Sequence, residues 1–152
     1  MPVATSSLTK VTQVDPAKIE VIRSRLLGYS PEQFEHVIKD LLIQTGFDRV
    51  TVTKFCQDGG IDINAFTSSK MWPITNLMIQ IQAKRWLHTV GRKEIAELRG
   101  SLKPFARGCV VTTSHFSRAA IAEAYESGKN PVNLMDGFEL SSLIDKLNLN
   151  LL

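Results

Sequence analysis

Asp58-Gly59-Gly60-Ile61-Asp62-Ile63 and, after a polar connection, Leu77-Met78-Ile79-Gln80-Ile81-Gln82-Ala83-Lys84-Arg85 decide how this chain is read. Each is an apolar run of β type that carries polar groups at one end. A strand alternates its side chains with a period of two, so Gln82 and Lys84 share a face and Ala83 takes the other. Paired as an antiparallel hairpin, the runs would bring a carboxylate (Asp62), a carboxamide oxygen and an ammonium to one sheet face. Oxygen ligands suit a hard cation such as magnesium, and a lysine supports a water nucleophile and the charge developing on a phosphate. The set therefore fits metal-assisted phosphodiester chemistry.

The rest of the chain supplies a frame of matching size. With 152 residues, 43% apolar and 22% charged, it fits one globular domain able to bury a core without staples. The net charge is only +3, but it is unevenly spread. Between Gln80 and Arg107 stand seven basic residues (Lys84, Arg85, Arg92, Lys93, Arg99, Lys103, Arg107) against two acids (Glu94, Glu97), a local excess of five. That is the footprint of a polyanion binder, or equally a solvated helix face. Cys56 and Cys109 lie in apolar runs, without the histidines of a zinc site or the spacing of a disulfide framework, and are expected as reduced, buried thiols. No apolar stretch is long enough to span a membrane, and the polar, Ser/Thr-rich start is no signal peptide, so a cytoplasmic protein is expected.

In chain order, residues 1–14 read as a flexible tail and 15–152 as the domain. Asp15-Pro16 opens a helix that Gly28 ends. Ser30 and Gln33 form a capping box for a second helix with an apolar face of Phe34, Val37, Ile38, Leu41 and Leu42, stopped by Gly46. Glu35 lies about 100° round from Phe34 and close to Leu42 at about 80°, at the edge of the buried stripe, where a carboxylate needs a partner. Strands follow over Arg49–Phe55, Ile61–Phe66 and Leu77–Ala83, with Thr67–Asn76 read as a flexible insertion or else an ordered DNA-contacting loop. Then come a helix over Gly91–Leu102, a strand over Gly108–Thr113, a helix from Ser117 to Tyr125, a strand over Val132–Met135 and a helix over Phe138–Leu147. Three hairpin-linked strands followed by alternating helix and strand predict an α/β fold with a mixed central sheet flanked by helices.

These pieces, taken in order, resemble the catalytic domain of the Mrr-type restriction endonucleases, a branch of the PD-(D/E)XK nuclease superfamily. The resemblance is carried by Phe34-Glu35; Asp58-Gly59-Gly60-Ile61-Asp62; Ile81-Gln82-Ala83-Lys84-Arg85; Val90-Gly91-Arg92 leading to Glu97-Leu98-Arg99-Gly100; Gly108 to Ser114 with Phe116; and Val132 to Gly137 leading to Leu140 and Leu143. It covers Leu27 to Leu147. It implies a restriction-endonuclease-like core and a magnesium-dependent endonuclease of the restriction type, with manganese as a substitute, acting on double-stranded DNA and modification-dependent in some relatives. Position by position, it makes Asp62 the metal-binding aspartate and puts Gln82 in a slot that is Glu or Asp in most of the superfamily. Lys84 becomes the catalytic lysine, Glu35 the supporting helix acid, and the Ala83 main-chain oxygen a further metal ligand. Relatives usually carry a second, DNA-reading domain, which this chain has no room for, and cutting two strands suggests a homodimer.

Bland readings stand beside these. Asp62 can cap local turn amides, and Glu35 can pair with a surface lysine. Arg85, Arg92, Lys93, Arg99, Thr113 and Ser114 are expected as DNA contacts, although Thr112-Thr113-Ser114 can equally be a strand-to-helix turn. Ser114-His115 lacks an acid to orient the imidazole and is not read as a nucleophile pair. His36 and His88 are expected at the surface, and Trp72 and Trp86 as partly buried. Two rival functions share the core: a structure-selective nuclease like the Holliday-junction resolvases, and a DNA-binding module whose nuclease site is degenerate, with neutral Gln82 its only support.

Overall fold

Asp15 accepts a hydrogen bond from the Ala17 amide at 3.0 Å, and proline follows at the first helical position, so helix α1 runs Pro16–Leu27. Ser30 and Gln33 form the expected reciprocal box, with bonds of 3.1 and 2.9 Å, and open α2 (Pro31–Gln44). Its buried stripe is Phe34, Val37, Ile38 and Leu41. Gly46 follows at φ +96°, a left-handed turn that glycine adopts without strain. The chain continues as β1 (Asp48–Val52), β2 (Ile63–Phe66), β3 (Met78–Lys84), α3 (Arg92–Ser101), β4 (Arg107–Thr112), α4 (Arg118–Ala124), β5 (Val132–Met135) and α5 (Gly137–Lys146). The computed structural model describes residues 13–53, 60–68 and 76–151. Cys56, Asp58-Gly59, Trp72, the end of the expected first strand, most of the tail and most of the Thr67–Asn76 connection lie outside the described residues.

The five strands form one sheet in the order β1-β2-β3-β4-β5. The first three pair antiparallel, and the hairpin sets Ile63 against Ile81 and Phe66 against Met78. From β3 onward the pairing is parallel, because α3 and α4 return the chain to the same end of the sheet. Helices α1, α2 and α5 cover one face, where Leu26, Phe34, Ile38, Leu140 and Ile144 pack on Ile63, Ile81 and Val111. Helices α3 and α4 cover the other, where Ile95, Leu98, Ala120 and Ala124 pack on Val110 and Val132. Neighbours Val110 and Val111 are thus buried on opposite faces, as a strand covered on both sides requires. A side chain such as Phe34, left 1% exposed, contributes about 1.5–3 kcal/mol by its burial.

One expected boundary moved. The second strand starts at Ile63 instead of Ile61, and the reason bears on the site. Ile61 packs with the α3/α4 cluster and Ile63 with the α1/α2/α5 cluster, although residues two apart on a regular strand share a face. The backbone therefore turns over at Asp62. Cys109 packs against the α1/α2/α5 cluster, and burial pushes its thiol up to about 12, so it is chemically quiet. Among the described residues no helix is long and apolar enough to cross a membrane.

On the α3/α4 side, Glu123 leaves only 4% of its side chain exposed and meets three cations. Arg92 Nε donates to it at 2.9 Å, Lys129 Nζ at 3.1 Å, and Arg99 through its guanidinium. These donors hold its carboxyl down at about 2, from an ordinary value of 4.5. A carboxyl depressed by folding stabilises the protein above its unfolded value, and that contribution disappears as pH falls through the folded one. Thermal melts of Glu123→Gln should therefore lie well below wild type at neutral pH, and the gap should close as pH falls from about 4.5 toward about 2.

Candidate active site

Asp62 sits where the backbone turns over, and its main chain is tied on both sides. Its amide donates to Ile81 O at 2.8 Å, and its carbonyl accepts from the Thr53 amide at 2.8 Å. The Thr53 hydroxyl bonds the carbonyls of Ile61 (2.7 Å) and Asp62 (3.1 Å). Pinned in this way, the side chain reaches across to β3, where Asp62 Oδ2 accepts from the Ala83 amide at 2.7 Å. Burial raises the Asp62 carboxyl above its ordinary value, while the Ala83 hydrogen bond and the Lys84 charge pull the other way.

Glu35 comes from the first turns of α2, which packs across β1 and β2 on the opposite side of the sheet. Its carboxyl is raised from 4.5 to about 7, first by burial and then by the charges of Asp62 and Glu32. Asp62 thus raises the proton affinity of half-buried Glu35, and two carboxylates placed so can hold a cation. Gln82 stands beside Ala83 on β3, and its Oε1 is buried with no hydrogen-bond partner among the described residues. A buried amide oxygen left unsatisfied is costly, and it offers a lone pair to a ligand. The Gln82 amide is packed so closely against Gly60, at φ +87°, that a Cβ there would collide with Nε2. Among the described residues no group of three or more His, Cys, Asp or Glu side chains converges. The oxygens here come instead from two carboxylates, one amide and the adjacent main chain, a donor set that fits magnesium and not a soft metal.

Lys84 ends β3, two residues beyond Gln82, and Thr112, opposite it on β4, bonds its carbonyl through the hydroxyl at 2.8 Å. Burial lowers its ammonium below the ordinary lysine value, against the charges of Glu94, Asp62 and Glu97. Its Nζ lies 4.1 Å from the centre of the Trp86 ring. Asp62, Glu35, Gln82, Ala83 and Lys84 thus meet at one end of the sheet.

The residues expected to touch DNA divide. Arg85 Nη1 donates to Leu27 O at 2.8 Å, so this side chain closes the C-terminus of α1. Arg99 is committed to Glu123 and to Asn130 O. The Thr113 hydroxyl donates to Trp86 O at 2.8 Å and the Ser114 hydroxyl to Leu87 O at 3.3 Å, so both stitch the end of β4 to the loop after β3. The structure does not bring these four to the cluster as outward contacts. Arg92 and Lys93 remain on the surface, 66% and 81% exposed, with Arg92 bonded to Glu123 and Lys93 to Glu97. His115 bonds Thr89 through Nε2 at 2.8 Å, so no acid orients a Ser114-His115 pair.

Sequence reading missed Thr53, which pins the Asp62 backbone, and Arg23, whose Nε donates to Thr113 O at 2.7 Å. Neither stands near the site in sequence, and only the fold could reveal them. Gly60 and Trp86 stood inside or beside the deciding stretch, and their spacing from Asp62 and Lys84 was the available signal.

The restriction endonuclease family model of the Mrr catalytic domain matches residues 26–144. The type IV methyl-directed restriction enzyme EcoKMrr of Escherichia coli (strain K12) is 32% identical over 136 residues, 84% of this chain and 42% of that protein. This chain therefore spans less than half of that relative's length. Among solved structures, the DNA modification-dependent restriction endonuclease AspBHI superposes with a TM-score of 0.70 at 28% identity, over 88% of this chain and 35% of that one. The MspJI restriction endonuclease, solved in complex with a 27-mer oligonucleotide, gives 0.69 at 20% identity over 95% and 35%, a likeness of fold.

The paired acids give a pH dependence that can be measured without metal. A carboxyl raised by folding leaves stability intact below its unfolded value and erodes it as pH climbs through the folded one. The metal-free protein should lose stability between pH 4.5 and about 7 as Glu35 ionises. At pH 8, Glu35→Gln should melt roughly 2–4 °C higher than wild type, about 1 kcal/mol for this size after solvent screening of a largely exposed group. At pH 4.5 the two should coincide in calorimetry.

Proposed function

The chain belongs to the restriction endonuclease family of the Mrr catalytic domain, and we propose that it hydrolyses phosphodiester bonds of double-stranded DNA with magnesium held at the Asp62–Gln82 cluster. The observation that carries this reading is the orphaned Gln82 oxygen beside two carboxylates of raised proton affinity. Asp62, Gln82 and the Ala83 carbonyl would hold the cation, with Glu35 behind them. The bound cation, manganese serving in place of magnesium, supplies Lewis-acid charge to the phosphate ester.

The chain's own groups do the remaining work. The Ala83 amide fixes one oxygen of Asp62 and leaves the other to the ligand. Gln82 brings a neutral oxygen where a charged one is common, so the site carries fewer formal charges, metal affinity is modest and the DNA phosphate completes it. Lys84 presents its ammonium to the charge that develops on the phosphoryl oxygens and orients the attacking water. Exposed Arg92 and Lys93 line the approach for phosphates, and the framework arginines Arg85 and Arg99 act through the fold.

The same proposal places the protein in the cytoplasm, as a restriction system requires. It supplies specificity from a DNA-reading domain outside this chain, and it has two copies cut the two strands. Dependence on modified bases is supported by the methyl-directed and modification-dependent descriptions of two relatives.

Plasmid cleavage with magnesium and with EDTA tests the reading, using methylated and unmethylated substrate. We expect nicking or linearisation with metal only, abolished in Asp62→Ala. Lys84→Ala should cut roughly 10²–10³-fold more slowly, the scale of one preorganised donor, with its melting curve unchanged. A folded Lys84→Ala variant that cuts at the wild-type rate would remove the assignment. Binding of a short duplex in calcium should weaken steeply between about 50 and 200 mM salt, since it acts through phosphates. Flat binding across that range would exclude the basic surface.

A further inference from the structure

Lys84 is the last residue of β3, and a lysine at a strand end has a flexible stem that scatters its charge. Here the stem has a support. The Trp86 amide donates to Lys84 O at 2.9 Å, which folds the chain back so that the indole meets the ammonium, with Nζ 4.1 Å from the ring centre. That lies within the ~6 Å over which an aromatic face attracts a cation. Both residues are anchored from β4 and the turn after it. Lys84 O accepts from the Thr112 hydroxyl (2.8 Å) and the Thr113 amide (3.3 Å), and Trp86 O accepts from the Thr113 hydroxyl (2.8 Å). The indole packs against the cluster of Val90, Ile95 and Leu98, and the His88 ring stacks on it at 4.2 Å and 26°. Among the described residues no carboxylate pairs with Lys84 within 4 Å.

We propose that Trp86 is a positioning residue: its indole, backed by His88, holds the Lys84 ammonium at the mouth of the Asp62–Gln82 cluster. The chemistry of the support matters. A carboxylate would fix the lysine but cancel the charge a phosphate needs. A π-face holds the cation from one side, leaves its full charge, and leaves its N–H donors open toward the substrate. The inference rests on the nuclease reading of this site and deepens it.

The full chain decides it through two readouts. In NMR spectra, the Lys84 ε-methylene should be shifted upfield by the indole ring current. That shift should vanish in Trp86→Leu and persist in part in Trp86→Phe. In single-turnover plasmid cleavage with magnesium, Trp86→Leu should be about 3- to 30-fold slower, the range of a cation–π contact converted to rate. DNA affinity in calcium should hold, and Trp86→Phe should recover most of the rate. In a Lys84→Ala background, Trp86→Leu should cause no further loss, because it acts through the lysine. An unshifted Lys84 resonance in wild type overturns the proposal. So does a Trp86→Leu variant that is equally damaging without Lys84, or one that loses DNA affinity and keeps its rate. A wild-type chain that cuts nothing with metal overturns the nuclease reading, and the ring-current shift alone then decides whether Trp86 holds Lys84.

Discussion

The 2.7 Å hydrogen bond from the Ala83 amide to the Asp62 carboxylate ties the site to the sheet. It spans β3 and the turn before β2 at the point where the backbone passes from one hydrophobic cluster to the other. Half-buried charges are costly, and this amide partly offsets that cost for Asp62 while fixing which oxygen remains available. Gln82 and Lys84 follow on the same strand, so the strand period places both on the face that Asp62 reaches. Thr53 and Gly60 restrain the Asp62 and Gln82 sides of the arrangement.

Glu35 and Asp62 approach from different elements. Burial favours the protonated form of both, and the Asp62 charge adds to this for Glu35. Among the described residues Gln82 Oε1 is buried without a partner. Elsewhere the fold is held by two large clusters and by the Glu123 hub, where one buried carboxylate meets three cations. Basic residues are accordingly of two kinds here. Arg23, Arg85 and Arg99 donate to main-chain carbonyls or to Glu123 and hold elements together, while Lys93 and the exposed side of Arg92 face solvent.

Much of the architecture was legible before any coordinates, for physical reasons that differ by element. The capping box of Ser30 and Gln33 is a local hydrogen-bond exchange, so it was readable from a spacing of three. The Val132–Met135 strand formed as read, but Asp136 after it caps α5 and Gly137 is that helix's first residue. The β2–β3 hairpin followed from two β-type runs with a polar connection. The start of β2 was misplaced because hydrophobicity alone cannot distinguish Ile61 from Ile63, which are buried on opposite sides. Positive charge along Gln80–Arg107 fits a DNA surface or a solvated helix face, and charge in a sequence does not say whether its partner is a phosphate or Glu123, thirty-one residues away from Arg92 in the chain.

The sequence alone determined the element order, the mixed sheet and the identity of the polar set at the end of β3, because periodicity, capping and strand alternation are local. The tertiary structure alone decided that Gln82 Oε1 finds no partner among the described residues, that Trp86 lies against Lys84, and that Arg99, Thr113 and Ser114 serve the frame. Each of these depends on which elements pack together, and contacts between distant parts of a chain leave no period or spacing from which they can be read.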